Sequence, residues 1–236
     1  MIRLVLLLFT AAKFSKILIV VGTMAISILA YSLVFGWAYA VGFVVLIFVH
    51  EMGHYIAARR RGLNVGVPTF IPFVGAWIAL KEKPMTVETE AYVALAGPLV
   101  GTLGALACYF LSRAYDNQLL LALSYAGFFL NLFNLIPLSP FDGGRITAIL
   151  SPRMWLIGAP ILVAFFLWRP SPLLIVMAIL AAPQVLKALK FDRRAPENAA
   201  YYTASFEHRL TYATFYIGLA AFLAIMSYDV KAMLPQ

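Results

Sequence analysis

Two histidines and a glutamate lie close together within an apolar run of the chain. His50 and His54 are four residues apart, and Glu51 directly follows His50. At this spacing both imidazoles project from one face of a helix and can reach a single metal ion, while Glu51 is placed to take a proton from an attacking water. Two neutral imidazoles and one further ligand hold Zn²⁺ with a position left open for a reactant. The spacing therefore predicts a hydrolytic zinc site.

The competing interpretation is that both histidines are buried polar groups satisfied by neighbouring helices. Two of the three histidines in the chain, however, stand at ligand spacing beside a glutamate. They do so in an apolar run, where an ionisable group costs about 2.5–3.5 kcal/mol, and this cost favours a functional site. The third histidine, His208, lies between Glu207 and Arg209 in a polar connector and is expected to be structural and solvent-facing.

A third ligand is predicted after the fourth apolar run. Asp142 follows Pro137 and Pro140, which interrupt a helix, and it precedes a glycine pair that permits a sharp turn. This path can direct the carboxylate back toward a metal held by a neighbouring helix. The alternative is an ion pair between Asp142 and Arg145 at a helix start, but that pairing does not account for both prolines. We therefore predict that Asp142 completes the ligand set.

The elements that position these groups belong to a membrane protein. Hydrophobic residues make up 63% of the 236 residues and charged residues only 12%, a balance that a water-soluble fold hardly accommodates. Apolar runs long enough to cross roughly 30 Å of hydrocarbon as helices recur along the chain, so we predict an all-α polytopic membrane protein with six or seven transmembrane helices. The predicted spans lie near Ile17 to Phe35, Trp37 to Ala58, Ala91 to Leu111, Leu119 to Leu135, Met154 to Trp168, Leu173 to Leu186 and Tyr212 to Ser227.

The distribution of basic residues predicts the orientation. Every Lys and Arg except Arg113, Arg169 and Lys231 falls on one side of the predicted spans, which places the amino terminus and residues 59–61 in the cytoplasm. The net charge of +8 is thus explained by helix anchoring, and nucleic-acid binding is not expected. At 1.5 Å per residue, His54 lies about 7 Å along its helix from this cytoplasmic end. We predict a multi-pass protein of the inner or plasma membrane whose active site opens to the cytoplasm.

The segment after the second span is too broken for a helix and too apolar for a solvated loop. Residues 65–80 carry Pro68, Pro72 and Gly75 among β-branched and aromatic residues. We predict a short re-entrant β-hairpin or loop whose free edge can pair with an unwound substrate segment. An ordinary interfacial loop is the alternative, because Pro-rich apolar connectors also occur without function.

Two motifs together resemble the site-2 protease family of intramembrane zinc metalloproteases. They are the His-Glu-x-x-His pair and the pattern Asn134-x-x-Pro137-x-x-x-x-Asp142-Gly143. The family also has a glycine-rich third core helix, which residues 97–101 match. The resemblance implies a role for each of five residues: His50, His54 and Asp142 as the ligands of one Zn²⁺, Glu51 as the catalytic acid/base, and Asn134 as a helper near the scissile carbonyl.

The resemblance implies a protease that hydrolyses peptide bonds in or near transmembrane segments of membrane proteins, in regulated intramembrane proteolysis. We expect one integral membrane domain over residues 1–236, with a catalytic core at about 37–150, accessory helices at 1–36 and 151–236, and no appended regulatory domain. The expected partners are transmembrane substrates and the lipid bilayer, with no nucleic acid. A regulatory membrane protein and a homo-oligomer are both left open.

Two other functions remain open from the sequence. Two histidines and a carboxylate also hold Fe(II) in oxygenases, although a neighbouring glutamate favours hydrolysis. A non-catalytic membrane scaffold or carrier could hold a structural metal at the same ligands, and Glu51 would then be dispensable. A carrier is also expected to contain paired half-molecule repeats, and the sequence contains none that we detect.

Overall fold

The computed structural model describes residues 2–73, 75–80, 86–192 and 195–235, and helices make up most of it. The elements, in chain order, are α1 (Ile2–Phe35), α2 (Trp37–Arg60), β1 (Val65–Ile71), β2 (Gly75–Leu80), α3 (Val87–Tyr115), α4 (Gln118–Asn134), α5 (Asp142–Thr147), a 3₁₀ turn (Pro152–Met154), α6 (Trp155–Trp168), α7 (Pro172–Leu189), α8 (Pro196–Ala199) and α9 (Phe206–Met233).

Five helices within the described ranges are long and apolar enough to cross a membrane. They are residues Ser15–Phe35 of α1, together with α2, α3, α7 and α9. Two shorter apolar segments, Gln118–Asn134 and Pro152–Trp168, correspond to the fourth and fifth predicted spans. The chain is therefore a mostly helical membrane protein, while the count of six or seven crossings stays a prediction. Four basic residues used for the predicted orientation lie outside the described residues: Lys81, Lys83, Arg193 and Arg194.

Helices α3 and α4 are joined by only two residues, which makes them antiparallel neighbours. Asp116 ends α3 in a left-handed conformation with a φ of 48°. The Asn117 side chain then accepts a hydrogen bond from the Leu120 N–H and caps the start of α4. Thr86 caps the start of α3 through the Thr89 N–H. Both ends of the central helix pair are therefore fixed by local polar contacts.

Glycines allow α2, α3 and α4 to pack with their backbones close together. A Cβ at Gly53 of α2 would collide with the Ala96 carbonyl of α3, and a Cβ at Gly127 of α4 would collide with Ala105 of α3. In a membrane no hydrophobic force drives helices together. Small residues at the crossings permit close van der Waals contact between the helices instead. This close packing brings the polar groups of three helices into one place.

The segment between α2 and α3 is a two-stranded antiparallel hairpin, which confirms the predicted β-structure. Its register pairs Ile71 with Gly75 beside the turn and Phe70 with Ala76 next to them. Gly75 has a φ of 119°, a conformation that side chains disfavour. A re-entrant position of this hairpin in the membrane stays a prediction.

Helix α1 holds the hairpin from one side. The Phe70 N–H donates a hydrogen bond to the Thr23 hydroxyl at 3.2 Å, and the Phe73 N–H donates to the Tyr31 hydroxyl at 3.1 Å. The Tyr31 and Phe73 rings also meet edge to face, with centroids 5.0 Å apart. The hairpin is therefore anchored to α1 through two backbone donors and a ring contact.

The helices after residue 150 pack against the loop that leads to Asp142. The Trp155 indole N–H donates to the Gly144 carbonyl at 2.8 Å, and the Tyr216 hydroxyl of α9 donates to the Leu135 carbonyl at 2.6 Å. The Leu135 carbonyl lies just past the end of α4, so Tyr216 satisfies an oxygen outside the helix, whereas the Gly144 carbonyl lies in α5 and also accepts from the Ala148 N–H. The predicted division into a catalytic core and accessory helices stays a prediction.

Candidate active site

Three side chains predicted as metal ligands converge in the protein interior. His50 and His54 project from α2, and Asp142 is the first residue of α5. The two histidine Nε2 atoms are 3.1 Å apart, and Asp142 Oδ2 lies 3.2 Å from His50 Nε2 and 3.1 Å from His54 Nε2. All three side chains are buried. Residues 88 to 92 positions apart in sequence thus meet at one point.

The spacing of these atoms fits a metal ion. A tetrahedral zinc with bonds of about 2.0–2.1 Å separates neighbouring ligand atoms by roughly 3.3 Å. The observed separations of 3.1–3.2 Å are close to that value, and no other group of three such side chains is found in the described residues. One ion can therefore be bound by all three atoms, with a fourth position left for a reactant.

Each histidine has a hydrogen-bond partner at Nδ1, and this partner determines that Nε2 is the nitrogen facing the other two ligands. His54 Nδ1 lies 2.8 Å from the Val93 carbonyl oxygen, which only accepts hydrogen bonds. Asn131 Nδ2 donates to the Gly127 carbonyl, so its Oδ1 faces His50 Nδ1 at 2.8 Å and must accept. Both Nδ1 atoms therefore carry a proton, and in the neutral tautomers both Nε2 lone pairs point at Asp142. Three converging lone pairs are a cation site.

Two glycines of α3 make room for this arrangement. A Cβ at Gly97 would occupy the position of the His54 imidazole, and a Cβ at Gly101 would collide with the Asn131 side-chain oxygen. The glycines that the resemblance implies for the third core helix therefore have a steric role at this site. Its glycines leave space for one ligand and for the residue that orients the other.

Backbone packing, rather than a sharp turn, explains the glycine pair after Asp142. A Cβ at Gly143 would collide with the Leu135 carbonyl, and a Cβ at Gly144 would collide with the backbone of Ser139. Neither glycine has a positive φ. The loop between α4 and α5 therefore lies directly on the first turn of α5, which holds the aspartate toward α2.

The alternative pairing of Asp142 with Arg145 is also present and does not compete with the histidines. Arg145 Nη1 lies 3.5 Å from Asp142 Oδ1, whereas Asp142 Oδ2 faces both histidines. The two carboxylate oxygens thus have separate partners. The ion pair with Arg145 and the approach to both histidines therefore occur together.

The ligands open into a cavity of about 580 Å³. Glu51 and Asn134, the two residues predicted to act in catalysis, line it together with the three ligands. Aromatic side chains from α1, α2, the hairpin and α4 also contribute to its wall, namely Tyr31, Phe43, Phe73 and Phe133. The structure thus brings all five predicted site residues to one cavity, while their chemical roles stay predictions.

Sequence reasoning missed the groups that orient the ligands. Asn131 stands three residues before Asn134 in the same motif, so its position one turn away was an available signal. The Val93 carbonyl gave no signal, because its contact joins residues far apart in sequence. His208, expected to be structural, lies at the exposed start of α9 with its Nδ1 3.0 Å from Glu88 Oε2.

Comparison with known proteins agrees with this geometry. Residues 38–118, which carry the histidine pair and the whole of α3, match Peptidase family M50. A zinc metalloprotease of Methanocaldococcus jannaschii is 33% identical over 143 residues. Over this segment the chain is similar to zinc metalloproteases of peptidase family M50. Two residues outside the matched range, Asn134 and Asp142, carry the remaining family motif.

The chain spans less than half the length of the relatives first matched. It covers 41% of the Methanocaldococcus jannaschii enzyme, which matches 58% of this chain. The putative zinc metalloprotease Rip3 of Mycobacterium tuberculosis is 32% identical, over 49% of this chain and 32% of its own length. A solved structure described as a site-2 protease from Methanocaldococcus jannaschii has 25% identity and a TM-score of 0.47, covering 71% of this chain and 85% of that one.

Replacing Asn131 is expected to weaken zinc binding by the chain. Asn131→Ala removes the acceptor that keeps the His50 Nδ1 proton in place, and loss of such a partner lowers metal affinity by roughly 10- to 100-fold. Chelator competition on the purified protein measures the change. Asn134→Ala is the matched control, because Asn134 lines the cavity without orienting a ligand. Equal zinc affinities for Asn131→Ala and wild type would contradict the orienting role.

Proposed function

We propose that the chain is an intramembrane zinc metalloprotease that hydrolyses peptide bonds in or near transmembrane segments of membrane proteins. One observation carries the proposal: two histidine nitrogens and a carboxylate oxygen converge at 3.1–3.2 Å in a cavity that Glu51 also lines. The cavity lies among helices apolar enough to span a membrane. Regulated intramembrane proteolysis is the process that such an enzyme would serve.

The roles in hydrolysis follow from the position of each side chain. His50, His54 and Asp142 would hold the ion. Zinc, when bound, supplies Lewis acidity that polarises a carbonyl and lowers the pKa of a water toward about 7. Glu51 takes the proton from the attacking water and returns it to the leaving amine. Asn134 donates a side-chain N–H to the oxyanion that develops on the scissile carbonyl.

Hydrolysis consumes water, so the cavity must connect to an aqueous phase. Residues 59–61 end α2 about 7 Å beyond His54 along the helix, at 1.5 Å per residue, and the distribution of basic residues favours a cytoplasmic location for this end. We therefore infer that water enters from the cytoplasm and that the amino terminus lies on the same side. The substrates are transmembrane proteins that meet the chain within the bilayer, and a regulatory membrane partner or a second copy of the chain would control their access.

An Fe(II) oxygenase and a non-catalytic metal carrier are the alternatives. Glu51 in the cavity argues against both, because neither function needs an acid/base beside the ligands. Metal analysis combined with cleavage assays in anaerobic, iron-free buffer separates the three. Cleavage with zinc alone supports the protease, a requirement for iron and oxygen supports the oxygenase, and bound metal without any reaction supports the carrier.

The outer edge of β2 is suited to hold an unwound substrate. In an antiparallel pair, opposite residues alternate between exchanging both backbone hydrogen bonds and exchanging neither. Phe70 donates its N–H to Thr23 rather than to β2, so the opposite residue, Ala76, directs its N–H and C=O away from β1. Ala76 also lines the cavity that contains the ligands. A substrate strand that pairs with this edge would lie next to the metal site.

We expect Ala76→Pro to reduce cleavage of a transmembrane substrate while zinc content and melting temperature stay close to wild type. Proline removes the outward donor, and an edge strand tolerates it because no bond to β1 is lost. Ala76→Val is the matched control, since it keeps the N–H. Gly75→Pro is unsuitable for this test, because a proline cannot adopt the φ of 119° found there.

Crosslinking tests the same contact directly. Cys108 is the single cysteine of the chain, so its replacement by serine gives a background in which one introduced cysteine is unique. Cysteine at Ala76 is expected to crosslink to a substrate that carries a photoactivated or disulfide-forming probe. Cysteine at Leu33, exposed on the outer face of α1, is the negative control. Normal cleavage by Ala76→Pro, together with no crosslink at position 76, would exclude strand pairing.

A further inference from the structure

A chain of polar contacts leads from the metal ligand Asp142 to the connector between α7 and α9. Arg145 Nη1 lies 3.5 Å from Asp142 Oδ1, and Arg145 Nε donates to Glu90 Oε1 at 3.3 Å. The Tyr201 hydroxyl in turn donates to Glu90 Oε2. Each carboxylate oxygen of both acids therefore has its own partner. The contacts join α5, the first turn of α3 and the connector.

Tyr201 is itself held at two points. Its carbonyl accepts a hydrogen bond from the Val87 N–H at 2.9 Å, which is the first helical N–H of α3. Its ring packs edge to face on Tyr202, with centroids 4.9 Å apart. Burial, and next the Glu90 carboxylate, raise the pKa of the Tyr201 phenol. The phenol therefore stays protonated and remains the donor to Glu90.

The charges along this chain of contacts alternate in sign. The Arg145 guanidinium lies beyond Asp142 as seen from the histidines, so an uncompensated positive charge there would repel a divalent cation. Glu90 places a negative charge on the far side of that guanidinium. Arg145 also occupies Oδ1 of Asp142, which leaves Oδ2 as the oxygen that faces the histidines. Partners of this kind orient a ligand and tune its affinity for metal.

We propose that Glu90, Arg145 and Tyr201 are positioning residues that fix Asp142 as a ligand through a single oxygen, and that they make the connector around residues 195–205 part of the metal site. The proposal rests on the zinc site proposed above. It gives Glu90 and the connector a role in metal binding that the ligand motif does not include, and the connector also lies outside the matched range. A displacement of Tyr201 would be transmitted to Asp142 through two side chains.

The test measures zinc affinity by chelator competition on the full chain in detergent for Arg145→Gln, Glu90→Gln and Tyr201→Phe. Arg145→Gln and Glu90→Gln are expected to weaken zinc binding by roughly 10- to 100-fold. Tyr201→Phe should weaken it less, because Tyr201 contacts Glu90 and reaches Asp142 only through Glu90 and Arg145. The double variant Glu90→Gln/Tyr201→Phe should bind zinc no more weakly than Glu90→Gln alone, since Tyr201 acts through Glu90. Tyr228→Phe, at an exposed position of α9, is the matched control and should bind as wild type does.

A second measurement separates positioning from a general loss of structure. Cobalt in place of zinc gives visible absorption bands that respond to ligand geometry, and these bands are expected to change in the Arg145 and Glu90 variants. Tyr201→Phe removes one oxygen and keeps the ring, so the metal-free melting temperature should stay near that of wild type. Wild-type zinc affinity and unaltered cobalt bands in the Arg145 and Glu90 variants would overturn the proposal while leaving the zinc site intact. Absence of zinc binding by the wild type would instead reject the proposed function.

Discussion

Glu51→Gln is expected to lose cleavage while retaining its zinc. Glutamine keeps the shape of the side chain but cannot take a proton from the attacking water, and loss of a general base lowers the rate by about 10²- to 10⁴-fold. The metal is expected to stay because Glu51 is not among the three side chains whose ligand atoms converge. The measurement is zinc quantification beside a cleavage assay on the same preparation.

Glu207→Gln provides the control for this variant. Glu207 is an exposed acid in the first turn of α9, so its replacement makes the same chemical change away from the cavity. Wild-type cleavage by Glu51→Gln would remove the proposed mechanism, whereas loss of zinc would make Glu51 itself a ligand. Comparison of membrane proteomes from cells holding wild type and Glu51→Gln would then reveal the substrates, which should accumulate uncut only in the variant.

Asp142→Ala should have the largest effect on metal binding. It removes one of three protein ligands and leaves two imidazoles to hold the ion. We expect the zinc affinity to fall by more than about 100-fold, beyond the 10- to 100-fold range of changes at orienting partners. Dialysis against a chelator, followed by metal analysis, measures the loss. Cleavage should disappear in parallel.

Asp192→Ala is the control for the aspartate substitution, because Asp192 is exposed and follows α7 outside the cavity. His50→Ala should reproduce the zinc loss of Asp142→Ala. Stoichiometric zinc in Asp142→Ala after dialysis would place the third ligand elsewhere. Glu90 would be the first residue to test, since it lines the same cavity.

The sequence was sufficient to predict which side chains meet at the cavity, because local backbone geometry restricts where each of them can point. His50 and His54 share a face by their spacing alone, and Asp142 was recognised from the prolines and glycines around it. The hairpin after α2 was predicted from its turn residues and β-branched composition. These signals all act over a few residues, where the backbone alone restricts what can form.

The supporting contacts escaped prediction because they join distant segments. His54 is oriented by a carbonyl 39 positions later, and Tyr201 reaches Glu90 across 111 positions. Every residue type has a backbone carbonyl, so the sequence cannot indicate that the Val93 carbonyl contacts His54. The attachment of the hairpin to α1 through Thr23 depends on the packing of whole helices, which no local pattern specifies.

Gly97 bears on how inactive relatives of the proposed protease can be recognised. A survey that scores only the histidines, the glutamate and the aspartate would count a chain as intact even if position 97 had gained a side chain. Because the His54 imidazole fills the space where a Cβ would stand, such a chain is expected to be a pseudoprotease with complete motifs and a displaced ligand. A glycine at position 97 is therefore as informative as the motif about whether His54 can reach the ligand cluster.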